Sequence, residues 1–136
     1  MADAAAFVDT NVFAYALDDA EPGKRDAARE LIKERGRDII VSTQVLLELY
    51  AVCTLKLGMS REAATASVRA VALFPVISAD RELILDAVAL AAHAQLSIFD
   101  AAIVTAAVRG GCDTLLSEDL NAGQAVRGVR VVNPFA

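Results

Sequence analysis

Phe7-Val8-Asp9-Thr10-Asn11-Val12-Phe13 (FVDTNVF) ends a short apolar run that begins at Ala4, and sets an acid, a hydroxyl and an amide before the next apolar pair. A brief, strongly apolar run of this kind suits a strand buried on both faces. The polar residues that stop it suit a helix start, with Thr10 as N-cap of a short helix reaching Leu17. Asp9 then stands at the carboxyl end of the strand. A carboxylate is favoured there by the free N–H groups and dipole of the helix as readily as by a ligand, so its meaning depends on the rest of the chain.

The same strand-then-helix pattern repeats downstream. The loop DDAEPG leads into a helix over about Lys24–Arg35 that closes at Gly36, and Asp38-Ile39-Ile40-Val41 reads as the next buried strand. Ser42 or Thr43 caps a long helix to Leu57, and Ser60 opens another to about Leu73. Phe74-Pro75-Val76-Ile77 reads as an edge strand because of its proline. A helix over about Asp80–Gln95 follows, and Ser97 opens one more that stops at Gly110-Gly111. Thr114–Ser117 and Val129–Val132 complete a set of about five strands. Alternation of this kind predicts an α/β fold, a parallel sheet covered by helices on both faces. In such sheets functional groups collect beyond the carboxyl ends of the strands.

At 136 residues, with no internal repeat or low-complexity linker, residues 1–136 are expected to form one domain. Hydrophobic residues make up 56% of the chain, which favours a packed core over disorder. The segment MADAAAF lacks a basic stretch ahead of an apolar one, and Asp86, His93 and Asp100 interrupt the most apolar later region, so export and membrane spanning are not expected. Cys53 and Cys112 are far apart, which suits buried free thiols in a reducing cytoplasm. A lone His93 excludes a multi-histidine metal site. The net charge of −5 runs against a nucleic-acid partner, yet six of the cations crowd between Lys24 and Arg37. With Asp26, Glu30 and Glu34 among them, these read first as a solvated helical face.

Four acids call for explanation. Asp9 and Asp119 hold matching positions after the FV and TLLS strands. Glu48 sits one turn inside TQVLLELYAVCTLKL, a helix apolar almost all round, where an unpaired buried carboxylate costs several kcal/mol. It therefore faces solvent on a narrow polar stripe with Gln44 or points into a polar pocket, and the pocket is preferred. Asp100 in Ser97-Ile98-Phe99-Asp100 fits a capping box, and local spacing alone assigns it to the cap.

Taken in order, Asp9 in VDTNV, Glu48 in QVLLEL, Asp100 in SIFDAAIVTAA and Asp119 in LLSEDL resemble the acidic residues of the PIN-domain nucleases. The likeness is greatest to the VapC-like toxins of toxin–antitoxin pairs and runs nearly the whole chain to GVRVVNPF. It implies a three-layer α/β/α sandwich with strand order 3-2-1-4-5, and a magnesium- or manganese-dependent endoribonuclease working with a cognate antitoxin. It also implies that Asp100 meets Asp9 in space, which strand winding alone does not determine. Hard oxygen ligands without His or Cys suit magnesium, which keeps several waters. Asp9 and Asp119 are assigned as metal ligands, Asp100 as a ligand or an acid just behind one. Glu48 orients a ligand or accepts a proton from the attacking water. Thr10, Asn11 and Ser117 could hydrogen-bond these carboxylates or a phosphate, and Glu118 is an alternative to Asp119. RNA is the expected substrate, and a homodimer in the cytoplasm the expected state.

Two other classes fit less well. A haloacid-dehalogenase-type phosphohydrolase needs a second acid where this chain has Asn11, and a receiver-like phosphoacceptor needs an acidic pair at the first strand. A PIN-like module that binds RNA or protein without cutting it remains the alternative.

Overall fold

The computed structural model describes residues 5–136; the opening MADA, including the Ala4 start of the first apolar run, lies outside them. Strand β1 (Ala6–Val8) is followed by helices α1 (Thr10–Ala16) and α2 (Pro22–Arg35), then by β2 (Ile39–Ser42), α3 (Thr43–Leu55) and α4 (Arg61–Val71). Next come β3 (Val76–Ile77), α5 (Arg81–Ala94), α6 (Ile98–Arg109), β4 (Thr114–Leu116), β5 (Ala125–Val126) and β6 (Val129–Val132). The sheet order is β3-β2-β1-β4-β6-β5. Its first five members are parallel and follow the expected order, with β6 in fifth place. The short β5 extends the edge antiparallel to β6.

That sixth strand has a local cause. Val126 pairs with Val129, so Arg127-Gly128 is a two-residue hairpin loop, and both residues have positive φ, 50° and 82°. Such a loop matches the twist of the strands it joins. Glycine adopts this backbone freely; Arg127 does so against its side-chain preference.

All three residues of β1 are buried, and Phe7, Val8, Ile39, Val41 and Leu115 form the middle of the core. Helix α6 is buried from Ala101 to Ala107, lies against β2, β4 and β6, and packs along α5. Helix α1 packs on α2 and α3, and α3 on α4. The helices thus flank a central, mostly parallel sheet. Gln95 ends α5 in the left-handed conformation, and the chain turns by 117° between α5 and α6. This turn aims the start of α6 at the carboxyl edge of the sheet. No single helix among the described residues is long and apolar enough to cross a membrane.

Candidate active site

Just beyond the carboxyl ends of β1 and β4, Asp9 is the N-cap of α1, with extended backbone at φ −75° and ψ 161°. The cap falls one residue earlier than the sequence implied, because Thr10 is already helical. Thr10 N–H donates to Asp9 Oδ1 at 2.8 Å, and Ser117 Oγ donates to Asp9 Oδ2 at 2.8 Å. Asp9 is only 6% exposed. Burial pushes its carboxyl up to about 6; the two hydrogen bonds oppose this, and the nearby Glu48 and Asp119 charges add to it.

Ser117 joins the two strand ends. Its hydroxyl is buried, and accepts from Asn11 Nδ2 at 3.3 Å and from Asp119 N–H at 3.1 Å while donating to Asp9. Asn11 Nδ2 also donates to Asp119 Oδ2 at 3.1 Å, and Asn11 Oδ1 accepts from Glu118 N–H at 3.2 Å. Asn11 therefore fixes the backbone and side chain of the segment after β4 from the first turn of α1.

Glu48 and Asp100 approach from the helices. Ser42 caps α3, and Glu48 Oε1 accepts from Thr10 Oγ1 at 3.0 Å. Glu48 lines a pocket, and Gln44, one helical turn before it, lines the same one. Ser97 caps α6, its Oγ accepting from Asp100 N–H at 3.1 Å. Among the described residues the Asp100 carboxylate makes no return bond to the cap, so only half of the capping box forms, and the carboxylate lines the same pocket.

This cavity holds about 260 Å³ and is walled by Asp9, Glu48, Asp100, Glu118 and Asp119 together. The four acids picked out of the sequence therefore share one space, although among the described residues no three stand close enough to hold an ion by themselves. Glu118 also reaches it, but its carboxylate is taken up by Lys24, with Nζ 2.6 Å from Oε1. That contact holds Glu118 below its usual range and pushes Lys24 up to about 12. Lys24 Nζ also lies 4.7 Å from the centre of the Tyr15 ring, whose edge meets Phe135.

Several lining residues were not singled out in the sequence: Tyr15, Asp18, Phe99 and Lys56. A signal for three of them was present. Asn11, Ala14 and Tyr15 follow one face of α1 with Asp18 at the same spacing just past its end, and Gln44, Glu48, Val52 and Lys56 recur every four residues along α3.

An oxygen-only donor set, one member of it buried and carrying neighbouring negative charge, fits a divalent cation that takes one or two protein carboxylates and fills its shell with water and phosphate oxygens. A softer metal would want His or Cys, and the walls supply neither.

No curated protein sequence matches the chain. Solved structures match its fold. One is a toxin–antitoxin complex from Klebsiella pneumoniae, with TM-score 0.70 and 21% identity over 96% of this chain and 98% of the other. Another is the Mycobacterium tuberculosis toxin VapC20, described as cleaving the sarcin–ricin loop, with TM-score 0.70 and 24% identity over 93% and 99%. A third is DNA-bound VapBC from Salmonella typhimurium, with TM-score 0.70 and 18% identity over 95% and 97%. The family model for the PIN domain matches residues 6–126, from β1 through β5 and so across all four acids, and the chain belongs to the PIN domain family.

Proposed function

We propose that this PIN domain is a magnesium- or manganese-dependent endoribonuclease that acts as the toxin of a toxin–antitoxin pair. The observation that carries the reading is the buried Asp9 carboxylate, raised to about 6, in one cavity with Glu48, Asp100 and Asp119. A carboxylate buried at that expense to the fold, with further acids around the same cavity, is expected to serve a cation. Asp9 and Asp119 would hold it, with Asp100 beside them; Glu118, paired with Lys24, is the weaker choice. When bound, the ion lowers the pKa of a water and offsets charge on the phosphodiester. Glu48, with one oxygen held by Thr10, would accept the proton of the attacking water. Ser117 and Asn11 keep Asp9 and Asp119 in register. As the water oxygen bonds to phosphorus the P–O3′ bond breaks and the departing 3′ oxygen takes up a proton from solvent, which leaves a 5′-phosphate and a 3′-hydroxyl.

An antitoxin partner is supported by the neighbours that are toxin–antitoxin complexes, and an RNA substrate by the description of VapC20. A homodimer is proposed through the apolar hollow lined by Leu47 of α3, Ile84 of α5 and Ile98 and Phe99 of α6, all of them exposed. An exposed apolar patch suits a protein partner, and a second copy of the chain is the commonest one. Two buried free thiols suit a cytoplasmic setting.

Asp9→Asn carries the test. Purified from the same host, it should lose Mg²⁺-stimulated cleavage of single-stranded RNA and keep a thermal melt at least as high as the wild type. Equal cleavage by the variant, or cleavage indifferent to EDTA, would overturn the assignment, and a dead module would bind Mn²⁺ no better in the wild type than in the variant.

A further inference from the structure

Lys56 has no part in the acid cluster, yet it belongs to the wall of the same cavity. It follows Glu48 by two steps of four residues, 48 to 52 to 56, so α3 presents Gln44, Glu48, Val52 and Lys56 as one stripe. Eight helical residues span about 12 Å, which sets Lys56 well beyond the reacting carboxylates. Six acids line this cavity, and Lys56 is the one cation among its lining residues. A polyanion entering such a space meets carboxylates on most of its walls and, among the described lining residues, a cationic side chain only at Lys56.

A lysine at a helix C-terminus is favoured by the dipole, and this one is the C-cap of α3. Its freedom from an ion pair has a separate cause. Glu118, on the same cavity wall, feels the Lys56 charge, but its carboxylate is already held by Lys24 at 2.6 Å. Lys24 is in turn held by Tyr15, whose hydroxyl lies 3.3 Å from Nζ. Lys24 thus neutralises Glu118, and Lys56 is exposed with no carboxylate within ion-pair distance among the described residues.

We propose that Lys56 is a substrate-positioning residue that binds a backbone phosphate flanking the scissile one, so that single-stranded RNA lies along the Glu48–Lys56 stripe of α3. The proposal rests on the ribonuclease reading above, and its test separates the two. Lys56→Ala, Lys56→Arg and, as a control for loss of one surface charge, Lys33→Ala on the exposed face of α2 are compared with the wild type. Binding of a fluorescent single-stranded RNA is followed by anisotropy in EDTA over a range of salt, and cleavage in Mg²⁺ gives kcat and KM. Lys56→Ala should weaken binding and raise KM by roughly five- to tenfold with kcat little changed, and the slope of log Kd against log salt should fall by about 0.7, the value of one phosphate contact on a single strand. Lys56→Arg should restore most of the affinity, and Lys33→Ala should match the wild type. Equal loss in Lys56→Ala and Lys33→Ala, or an unchanged salt slope with wild-type cleavage intact, overturns the assignment of Lys56. A wild-type protein that neither binds nor cuts RNA overturns the ribonuclease reading, and this inference with it.

Discussion

The cavity has two unlike halves. Its floor, at the ends of β1 and β4, is a closed network in which Asp9, Asn11, Ser117 and the Asp119 backbone satisfy one another within 3.3 Å. Its wall, on α3 and α6, carries Glu48 with one side-chain bond and Asp100 whose carboxylate has none, among the described residues. A buried, fully bonded network holds its geometry because breaking any member leaves other polar atoms unpaired. Partly exposed carboxylates on helices are free to be completed by water, a cation or substrate. Substitutions should therefore act differently in the two halves: in the floor on stability and activity together, in the wall on activity alone.

Asp9→Asn should have the largest effect, at least about 100-fold on cleavage, larger than is usual for residues that only support a metal ligand. Its effect on stability should run the other way and depend on pH. The folded protein holds the Asp9 proton to about pH 6 and the unfolded chain only to about 3.8. The folded state therefore binds more protons between these values, and stability is lost as pH rises through that window. The variant is free of this loss. At pH 8 in EDTA it should be more stable than the wild type by on the order of 1–2 kcal/mol, less than the full shift because the amide cannot accept from Ser117 as the carboxylate does. Below pH 4 the gain should vanish. Urea melts at pH 4 and pH 8 decide it, and a gain of equal size at both would remove the link to Asp9 titration.

Glu48→Gln comes next. Removal of a proton acceptor lowers cleavage by about 100-fold or more, while its half-exposed place on α3 keeps the melt within about 0.5 kcal/mol of the wild type. A large loss of stability would mean that the wall is as rigid as the floor. Ser117→Ala reverses that pattern. It strips a donor from Asp9 and an acceptor from Asn11 and from Asp119 N–H, and should cost about 1–3 kcal/mol in a chemical melt, with cleavage reduced by roughly tenfold.

The two halves also differed in how far they could be read beforehand. The floor follows from strand ends, and both the β1 and β4 strands and the acids after them are visible as apolar runs that stop at polar residues. Even there the cap was displaced. Thr10 looks like a helix N-cap, but Asp9 takes that place, which leaves the Thr10 hydroxyl free for Glu48. On the wall, local spacing pointed Asp100 back into its own helix cap. What brings it to the cavity is the 117° turn after Gln95, a residue whose left-handed backbone no local preference announces. The family resemblance supplied that convergence; helical and strand periodicity did not. β5 was missed for a similar reason, since its hairpin loop puts Arg127 where asparagine or glycine would be the usual marker. Lys56 was legible in principle, four and eight residues on from Val52 and Glu48, but nothing in α3 alone marks that stripe as the one facing a cavity.

The smallest effect is expected where floor and wall meet. The Thr10 hydroxyl gives the hydrogen bond that ties α1 to the Glu48 side chain, donating at 3.0 Å, and Thr10 itself is 7% exposed. Thr10→Val keeps the shape and removes the donor. The Thr10 N–H bond to Asp9 is a backbone contact and survives, so the floor should stay intact and stability should change by no more than about 1 kcal/mol. Glu48, with water available to replace the lost donor, would lose its orientation, and cleavage should fall by about tenfold or less. If the hydroxyl acts through Glu48, the two changes are not additive, and Thr10→Val should do nothing further in a Glu48→Gln background. A double-mutant cycle on kcat/KM measures that coupling. Additive losses would mean that Thr10 contacts the substrate on its own account, and that the wall orients Glu48 without help from the floor.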